Sequence, residues 1–168
     1  MNIVVKKEVQ EIIDIIEKNG YSVYLVGGAV RNQLLGIPVK DWDLTTNAKP
    51  DTIQRIFEKN NIATIPTGIE HGTITVCYEG LNIEVTTYRI DGNYSDGRRP
   101  DSVEFVNNLK EDLARRDFTI NALAYNRRTG IVDYFGGLKD LEDKKIRCVG
   151  SPKERFSEDA LRMLRAIR

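Results

Sequence analysis

The sequence predicts a fold that mixes helices with a β-sheet, and three observations carry that prediction. An amphipathic run at helical spacing opens the chain, a strand–glycine turn–helix–strand unit follows, and two alternating runs around Glu79-Gly80 read as a hairpin. With 168 residues, the chain can form one domain with a real core, or one domain and the start of another.

The elements follow in order. Val5, Val9, Ile12, Ile13 and Ile16 recur at helical spacing and Asn19-Gly20 closes the run, so a first helix packs across the sheet. Tyr21 to Thr46 reads YSVYLVGGAVRNQLLGIPVKDWDLTT. Val23, Leu25 and Val26 form an apolar run that stops at Gly27-Gly28. Ala29 to Leu35 has helical character, and Gly36 with Pro38 ends it. Asp41-Trp42-Asp43-Leu44 then alternates charged and apolar residues, the period of a strand.

Each part of this unit has a physical use. Paired glycines between strand and helix let a phosphate approach the backbone, with amides pointing at it. Arg31 adds a guanidinium fork for the same anion. On a strand, Asp41 and Asp43 share one face roughly 6–7 Å apart, while Trp42 points into the core. That spacing suits two carboxylates sharing a pair of Mg²⁺ ions about 3.5–4 Å apart, as used for in-line phosphoryl transfer. Taken singly, the glycines also read as a plain turn and the Asp-x-Asp as a solvated strand edge. Their order and proximity favour one site.

The run GGAVRNQLLG followed by DWD resembles the nucleotidyltransferase head of the class II CCA-adding enzymes and bacterial poly(A) polymerases. That family's signature is GG-x-VR-[DN]-x-LLG leading to D-x-D on the next strand. Asn32 stands here where the family more often has Asp.

Bulk composition excludes several other classes. Lys+Arg and Asp+Glu are both 25, so the strongly basic signature of many nucleic-acid binders is missing and any RNA site must come from local clustering or from further chain. Cys77 and Cys148 lie far apart among apolar neighbours and read as buried thiols in a reducing cytosol. MNIVVKKEVQ is not a signal peptide and no run of 18 apolar residues occurs, so the expected location is cytoplasmic, with no membrane partner.

Further along, Pro50 starts a helix with Ile53, Ile56 and Phe57 inward and Asn60-Asn61 at its end. In the hairpin, Ile83 and Val85 face one way, Glu84 and Thr86 the other. By itself Glu84 reads as a solvent-face residue; IEVTTYR, however, resembles the family segment that carries its third acidic residue. His71 reads as a hydrogen-bonded structural residue. DGNYSDGRRPD, from Asp91 to Asp101, reads as a mobile loop at the sheet edge, with Arg98 and Arg99 either solvated or reaching primer or nucleotide. In the family a flexible loop in this region accompanies A addition. Val103 to Val106 is a short strand.

Leu109 begins a helical stretch containing EDLARRDFTINALAYN, in which Arg115-Arg116 at a helix start want an anionic partner, either Asp117 in a structural pair or a bound anion. RRDFTINALA resembles the family's second motif, which implies that Arg116 contacts nucleotide phosphates with Thr119 and Asn121 in support. TGIVDYFGGLKDLEDKKIRCVG reads as strand, Gly136-Gly137 turn, short helix and strand. It is treated as a hinge between head and neck, with Asp133 and Asp140 as turn and cap residues.

In SPKERFSEDALRMLRAIR, Ser157 can cap a helix whose apolar side is Leu161, Leu164 and Ile167. Asp159, Arg162, Arg165 and Arg168 recur every three residues. An exposed helix laced by Asp159–Arg162 and Glu158–Arg162 pairs would look the same. The run ED-x-LR-x-x-R-x-x-R nonetheless matches the family's nucleotide-selecting motif, and carboxylate acceptors with guanidinium donors suit the edges of cytosine and adenine.

The resemblance covers nearly the whole chain. It implies an α+β, polymerase-β-like nucleotidyltransferase head, a mixed sheet covered by helices, over residues 1–138, and the start of a helical neck over 139–168. It implies template-independent addition of CMP and AMP from CTP and ATP to the tRNA 3′ end (CCA addition) by two-metal transfer, with release of pyrophosphate. Asp41, Asp43 and Glu84 would be catalytic, with Asp41 and Asp43 holding Mg²⁺. Gly28, Arg31 and Arg116 would bind the triphosphate, and Asp159 and Arg162 would select the base, with Arg165 and Arg168 adding charge and support to nucleotide binding. The family continues into neck, body and tail regions, and this sequence ends inside a helix, so a piece of a longer protein with weak tRNA extension is expected. Poly(A) polymerase or an A-adding enzyme, and a non-catalytic nucleotide-binding or RNA-interaction module, stay open as alternatives; oligomeric state stays open too.

Overall fold

The computed structural model describes residues 3–167. Its centre is a seven-stranded mixed sheet in the order β3-β4-β5-β2-β1-β8-β9. The strands are β1 (Val23–Val26), β2 (Trp42–Thr46), β3 (Ala63–Gly68), β4 (Thr73–Tyr78), β5 (Leu81–Thr87), β8 (Leu123–Asn126) and β9 (Gly130–Asp133). A separate ribbon pairs β6 (Arg89–Asp91) with β7 (Val103–Phe105). Only β2 and β5 run parallel in the large sheet. A parallel pair needs a long crossover, which α3 (Pro50–Lys59), β3 and β4 provide.

One face of the sheet carries the main core. Val23, Leu25, Trp42, Leu44, Ile74, Val76, Ile83 and Val85 meet Val9, Ile12, Ile13 and Ile16 of α1 (Lys7–Lys18) and Ile53 and Phe57 of α3. The alternation read from the sequence is the reason: every second residue of these strands is apolar, and burial of each stabilises the fold by about 1.5–3 kcal/mol. On the other face a smaller cluster joins Val26, Tyr88, Leu109, Leu113, Ala122, Ala124 and Val149. It covers β1 and β8 but stops short of β3, β4 and β5, where Ile65, Thr67, Asn82 and Glu84 stay exposed.

Several expectations need correction. The helical stretch after Leu109 is three elements: α4 (Leu109–Ala114), a 3₁₀ turn (Thr119–Asn121) and β8. Because β8 lies between β1 and β9, its Leu123 and Ala124 are fully buried, and such a continuous apolar run has no alternation to tell strand from helix. Arg115 and Arg116 therefore follow the C-terminal end of α4, where the helix dipole favours positive charge. β3 and β6 were not foreseen. The strand expected near Cys148 is a single bridge to Phe118. Cys148 is buried, but Cys77 is only half-buried.

The expected loop at the sheet edge instead joins the two strands of the ribbon. It is stitched internally: Gly92 N donates to Ser102 O at 2.8 Å, Asp101 N to Asn93 O at 2.7 Å, and the amides of Arg98 and Arg99 donate to Asp96. Gly136-Gly137 is a packing feature rather than a free hinge. Gly136 has a φ of +76°, and a Cβ on Gly137 would stand 2.2 Å from the Thr119 carbonyl oxygen. Asp133 does cap α5 (Gly137–Glu142), accepting from the amides of Gly137 and Leu138 at 2.9 Å each. Asp140 is no cap: it is buried and takes bonds from Thr119 Oγ1 at 2.6 Å and Arg147 Nε at 2.8 Å.

The C-terminal helix is two short ones, α6 (Pro152–Glu158) and α7 (Leu161–Ile167). Ser157 lies inside α6 and donates to Glu154 O; the cap of α7 is Asp159, which accepts from Leu161 N at 2.9 Å. Among the described residues, no helix is long and apolar enough to cross a membrane.

Candidate active site

The parallel pairing of β2 with β5 sets the centre of the site. Asp43 and Glu84 are register partners, so their carboxylates stand side by side on the face opposite the main core. Asp41 lies one residue before β2 rather than within it, and is exposed. Among the described residues, nothing donates a hydrogen bond or an ion pair to the three carboxylates. Burial, then Glu84, pushes the Asp43 carboxyl up to about 6; Arg116 works against the shift and Asp41 adds to it.

The glycine turn borders this cluster. Gly27 has a φ of +66°, a conformation open to glycine, and Gly28 begins α2 (Gly28–Leu34). Two guanidiniums crowd it. A Cβ on Gly27 would meet Arg116 Nη1 at 3.4 Å, and one on Gly28 would meet Arg31 Nη2 at 3.5 Å. Arg31 is held by Asn121 Oδ1 at 2.5 Å and by Asn32 Oδ1, 3.2 Å from Nε and 3.0 Å from Nη2. An amide oxygen at residue 32 thus accepts both guanidinium bonds, so Asn there still holds Arg31.

Arg116 is placed by a residue that sequence reasoning missed. Asp112, fully buried on α4, accepts from Arg116 Nη2 at 3.4 Å, Arg115 Nε and Nη2 at 3.1 Å, Thr45 Oγ1 at 3.0 Å and Arg89 N at 3.2 Å. Burial opposes its charge, but Arg115 and Arg116, then the Arg89 amide and the Thr45 hydroxyl, more than offset it and hold the carboxyl below the usual range. The signal was in the sequence: Asp112 stands three and four residues before the two arginines, the spacing of helical neighbours. Asp117, expected to pair with them, instead accepts from Asn121 Nδ2 at 3.0 Å and lies 3.4 Å from Arg165 Nε. Asn121 therefore supports Arg31, whereas Thr119 bonds Asp140. Burial lowers the pKa of Arg116, and its buried Nε has no acceptor among the described residues.

The expected base-selecting residues lie apart from the carboxylates, on the α6–α7 pair. Asp159 and Arg162 are both buried. Asp159 accepts from Arg165 Nη2 at 2.7 Å, and Arg162 bonds Glu158, Arg155 O at 3.0 Å and Arg115 O at 3.4 Å. Arg162 also lies 5.8 Å from the Tyr94 ring centroid. Arg168 falls outside the described residues. His71 lies 3.4 Å from Pro100 O, and its carbonyl accepts from Arg89, a structural role as expected. Arg98 and Arg99 are exposed.

The carboxylates fit a hard divalent cation by donor chemistry, all being oxygen ligands whose mutual repulsion a cation would relieve. They do not form a closed cage: among the described residues, no group of three or more His, Cys, Asp or Glu side chains is placed to hold a metal ion by itself.

A glycine turn flanked by two arginines, beside paired carboxylates on adjacent strands, is an arrangement for phosphate chemistry. Comparison with known families agrees: the profile for the poly A polymerase head domain matches residues 23–147. The chain belongs to this family. Among its relatives are CCA-adding enzymes of Ligilactobacillus salivarius, 51% identical over 96% of this chain, and of Staphylococcus haemolyticus, 52% identical over 96%. The chain spans 39% of the length of each. The same α+β head fold is found in the CCA-adding enzyme of Bacillus stearothermophilus in complex with CTP. That match has a TM-score of 0.85 and 44% identity, and covers 97% of this chain and 39% of the other. A tRNA nucleotidyltransferase complexed with a primer tRNA and an incoming ATP analogue matches with a TM-score of 0.71 and 36% identity, covering 93% of this chain and 43% of the other.

Proposed function

We propose that this poly A polymerase-type head is the catalytic part of a template-independent tRNA nucleotidyltransferase that adds CMP and AMP to the tRNA 3′ end from CTP and ATP, releasing pyrophosphate. The observation that carries the reading is the register pairing of Asp43 with Glu84 beside a glycine turn bounded by Arg31 and Arg116. The relatives' names support CTP, ATP and tRNA as the partners.

In this reading Asp41 and Asp43 would hold Mg²⁺, which when bound neutralises phosphate charge and favours the ionised form of an attacking hydroxyl. Glu84 completes the acidic face on the acceptor side. Gly28 lets phosphate oxygens close on the backbone, and Arg31 and Arg116 donate to them, Arg116 from the Nη1 that lies beside Gly27. Asp112 and Asn121 orient the two guanidiniums before the nucleotide arrives. Asp159 and Arg162 select the base, with Arg165 and Arg168 adding charge and support. For that, the internal partners of Asp159 and Arg162 must be exchanged for the base edge. Residues 1–138 as head, 139–168 as the start of a neck, and a cytoplasmic setting belong to the same reading.

The test is to incubate the chain with Mg²⁺, α-phosphate-labelled CTP and ATP, and tRNA ending before its CCA. Label should enter the RNA, and Asp43→Asn should lower the rate by at least about 100-fold. Equal incorporation by the variant contradicts the reading.

A further inference from the structure

A row of polar side chains runs from α7 to the glycine turn. Asp159 Oδ2 accepts from Arg165 Nη2 at 2.7 Å. Arg165 Nε stands 3.4 Å from Asp117 Oδ2. Asp117 Oδ1 accepts from Asn121 Nδ2 at 3.0 Å, and Asn121 Oδ1 accepts from Arg31 Nη1 at 2.5 Å. The two ends serve different parts of the nucleotide site, Asp159 the base and Arg31 the triphosphate. We propose that Asp117 is a positioning residue that couples them, so that a base held at Asp159 tightens the grip of Arg31 on phosphate. The coupling rests on the nucleotidyltransferase reading and adds a link between its two recognition steps.

The chemistry of each group fits this role. An asparagine amide donates at one end and accepts at the other, whereas an ionised carboxylate only accepts. Asp117 therefore draws the Asn121 NH₂ to itself and turns the amide oxygen toward Arg31. A flipped amide would set donor against donor at Arg31 and acceptor against acceptor at Asp117. Asp117 is itself held in place. Its Oδ1 also accepts from Phe118 N at 2.7 Å, and its carbonyl accepts from Val149 N at 3.0 Å. With the Asp117 side chain only 11% exposed, water competes little for these bonds.

Arg165 supplies the element with two arrangements. Its guanidinium is shared between two carboxylates, and the closer contact is to Asp159. Asp159 Oδ1 is committed to Leu161 N in the cap of α7, so an arriving base competes for Oδ2, the oxygen that Arg165 holds. Cytosine and adenine both bring an exocyclic amino donor suited to it. Arg165, half exposed, then turns to Asp117 and closes the 3.4 Å gap. Asp117 is pinned from both sides, Asn121 keeps one orientation, and Arg31 meets the phosphate already aimed. A nucleotide whose base does not engage Asp159 leaves Arg165 where it is and gains none of this.

Splitting the nucleotide into two parts tests the coupling. Calorimetry measures the affinity of the chain for inorganic pyrophosphate with Mg²⁺, in the absence and presence of saturating cytidine. Cytidine carries base and sugar without phosphate, and pyrophosphate stops short of the α-phosphate, so the two fit together. Cytidine should tighten pyrophosphate about fivefold, and pyrophosphate should tighten cytidine by the same factor, because coupling is reciprocal. Asp117→Asn removes the charge to which Arg165 turns, and Arg165→Met breaks the row at its other end. Each should bring the factor close to one. A merely structural role would change both affinities and leave the factor intact. Arg165→Met carries the test alone if Asp117→Asn does not fold. A factor of one in the wild type, or one that survives either folded variant, overturns the coupling. Failure of cytidine or of pyrophosphate to bind at all would overturn the nucleotidyltransferase reading, and the coupling with it.

Discussion

Replacing Asp112 by Asn separates a designed hub from an incidental ion pair. Asp112 is fully buried and accepts from two guanidiniums, a hydroxyl and a backbone amide. Asn keeps the shape but removes the charge and puts an NH₂ donor among donors. Breaking one side of a buried charge pair costs about 3–5 kcal/mol, because the partner charge is left uncompensated. Two arginines share the loss here, and both retain partial solvent access, at 16% and 18% exposure. We therefore expect the lower half of that range, about 3–4 kcal/mol, against a total of about 5–15 for a domain. Urea unfolding of wild type and variant measures it directly. Adding Arg115→Met to Asp112→Asn should recover part of the loss, since one stranded charge is then gone. MgATP affinity, measured on the folded variant, should fall about tenfold as Arg116 loses its orientation. A stability change under about 1 kcal/mol with unchanged MgATP affinity refutes the hub and its positioning role together.

Other outcomes follow from the same geometry. The Asp43 carboxyl, raised to about 6, favours the folded metal-free protein below the unfolded value of 3.8, and that contribution is lost as pH rises through 6. In EDTA, Asp43→Asn should therefore match wild type near pH 4 and be more stable by about 2 kcal/mol at pH 8, in thermal melts at each pH. Gly137→Ala should destabilise by about 3 kcal/mol or more in urea, because its Cβ would lie 2.2 Å from a backbone oxygen; a Gly36→Ala control meets nothing within 4 Å and should cost only about 1 kcal/mol for its positive φ. Arg162→Ala should flatten any preference for CTP and ATP over GTP and UTP in a binding titration, and retained preference would remove base selection from α7.

Much of the fold was legible because its strongest signals are local. The 3.6-residue spacing of Val9, Ile12, Ile13 and Ile16, the Glu79-Gly80 turn and the Gly27-Gly28 break each have a direct structural cause. Where the reading went astray, tertiary context had decided. Leu123 and Ala124 favour helix by propensity but are pinned between two strands, and β3 is a mostly exposed edge whose alternation is weak. The carboxylate site was visible as spacing, but its pairing of Asp43 with Glu84 depends on a parallel contact between strands some forty residues apart. Asp112 was missed although its helical spacing to Arg115 and Arg116 was in plain view, because the arginines were placed at the wrong end of a helix. The division of the final segment at Asp159 has a local cause too, a carboxylate capping the next helix.

The central claim is that a metal-bound nucleoside triphosphate sits between the glycine turn and the carboxylates. Calorimetric titration of the chain with ATP and CTP, with and without Mg²⁺, tests it most directly when repeated on Asp41→Asn, a change at an exposed position that leaves the core intact. The account predicts Mg²⁺-dependent binding of both nucleotides that weakens at least about tenfold in the variant. Binding that is indifferent to Mg²⁺ and to Asp41, or no binding at all, would contradict it.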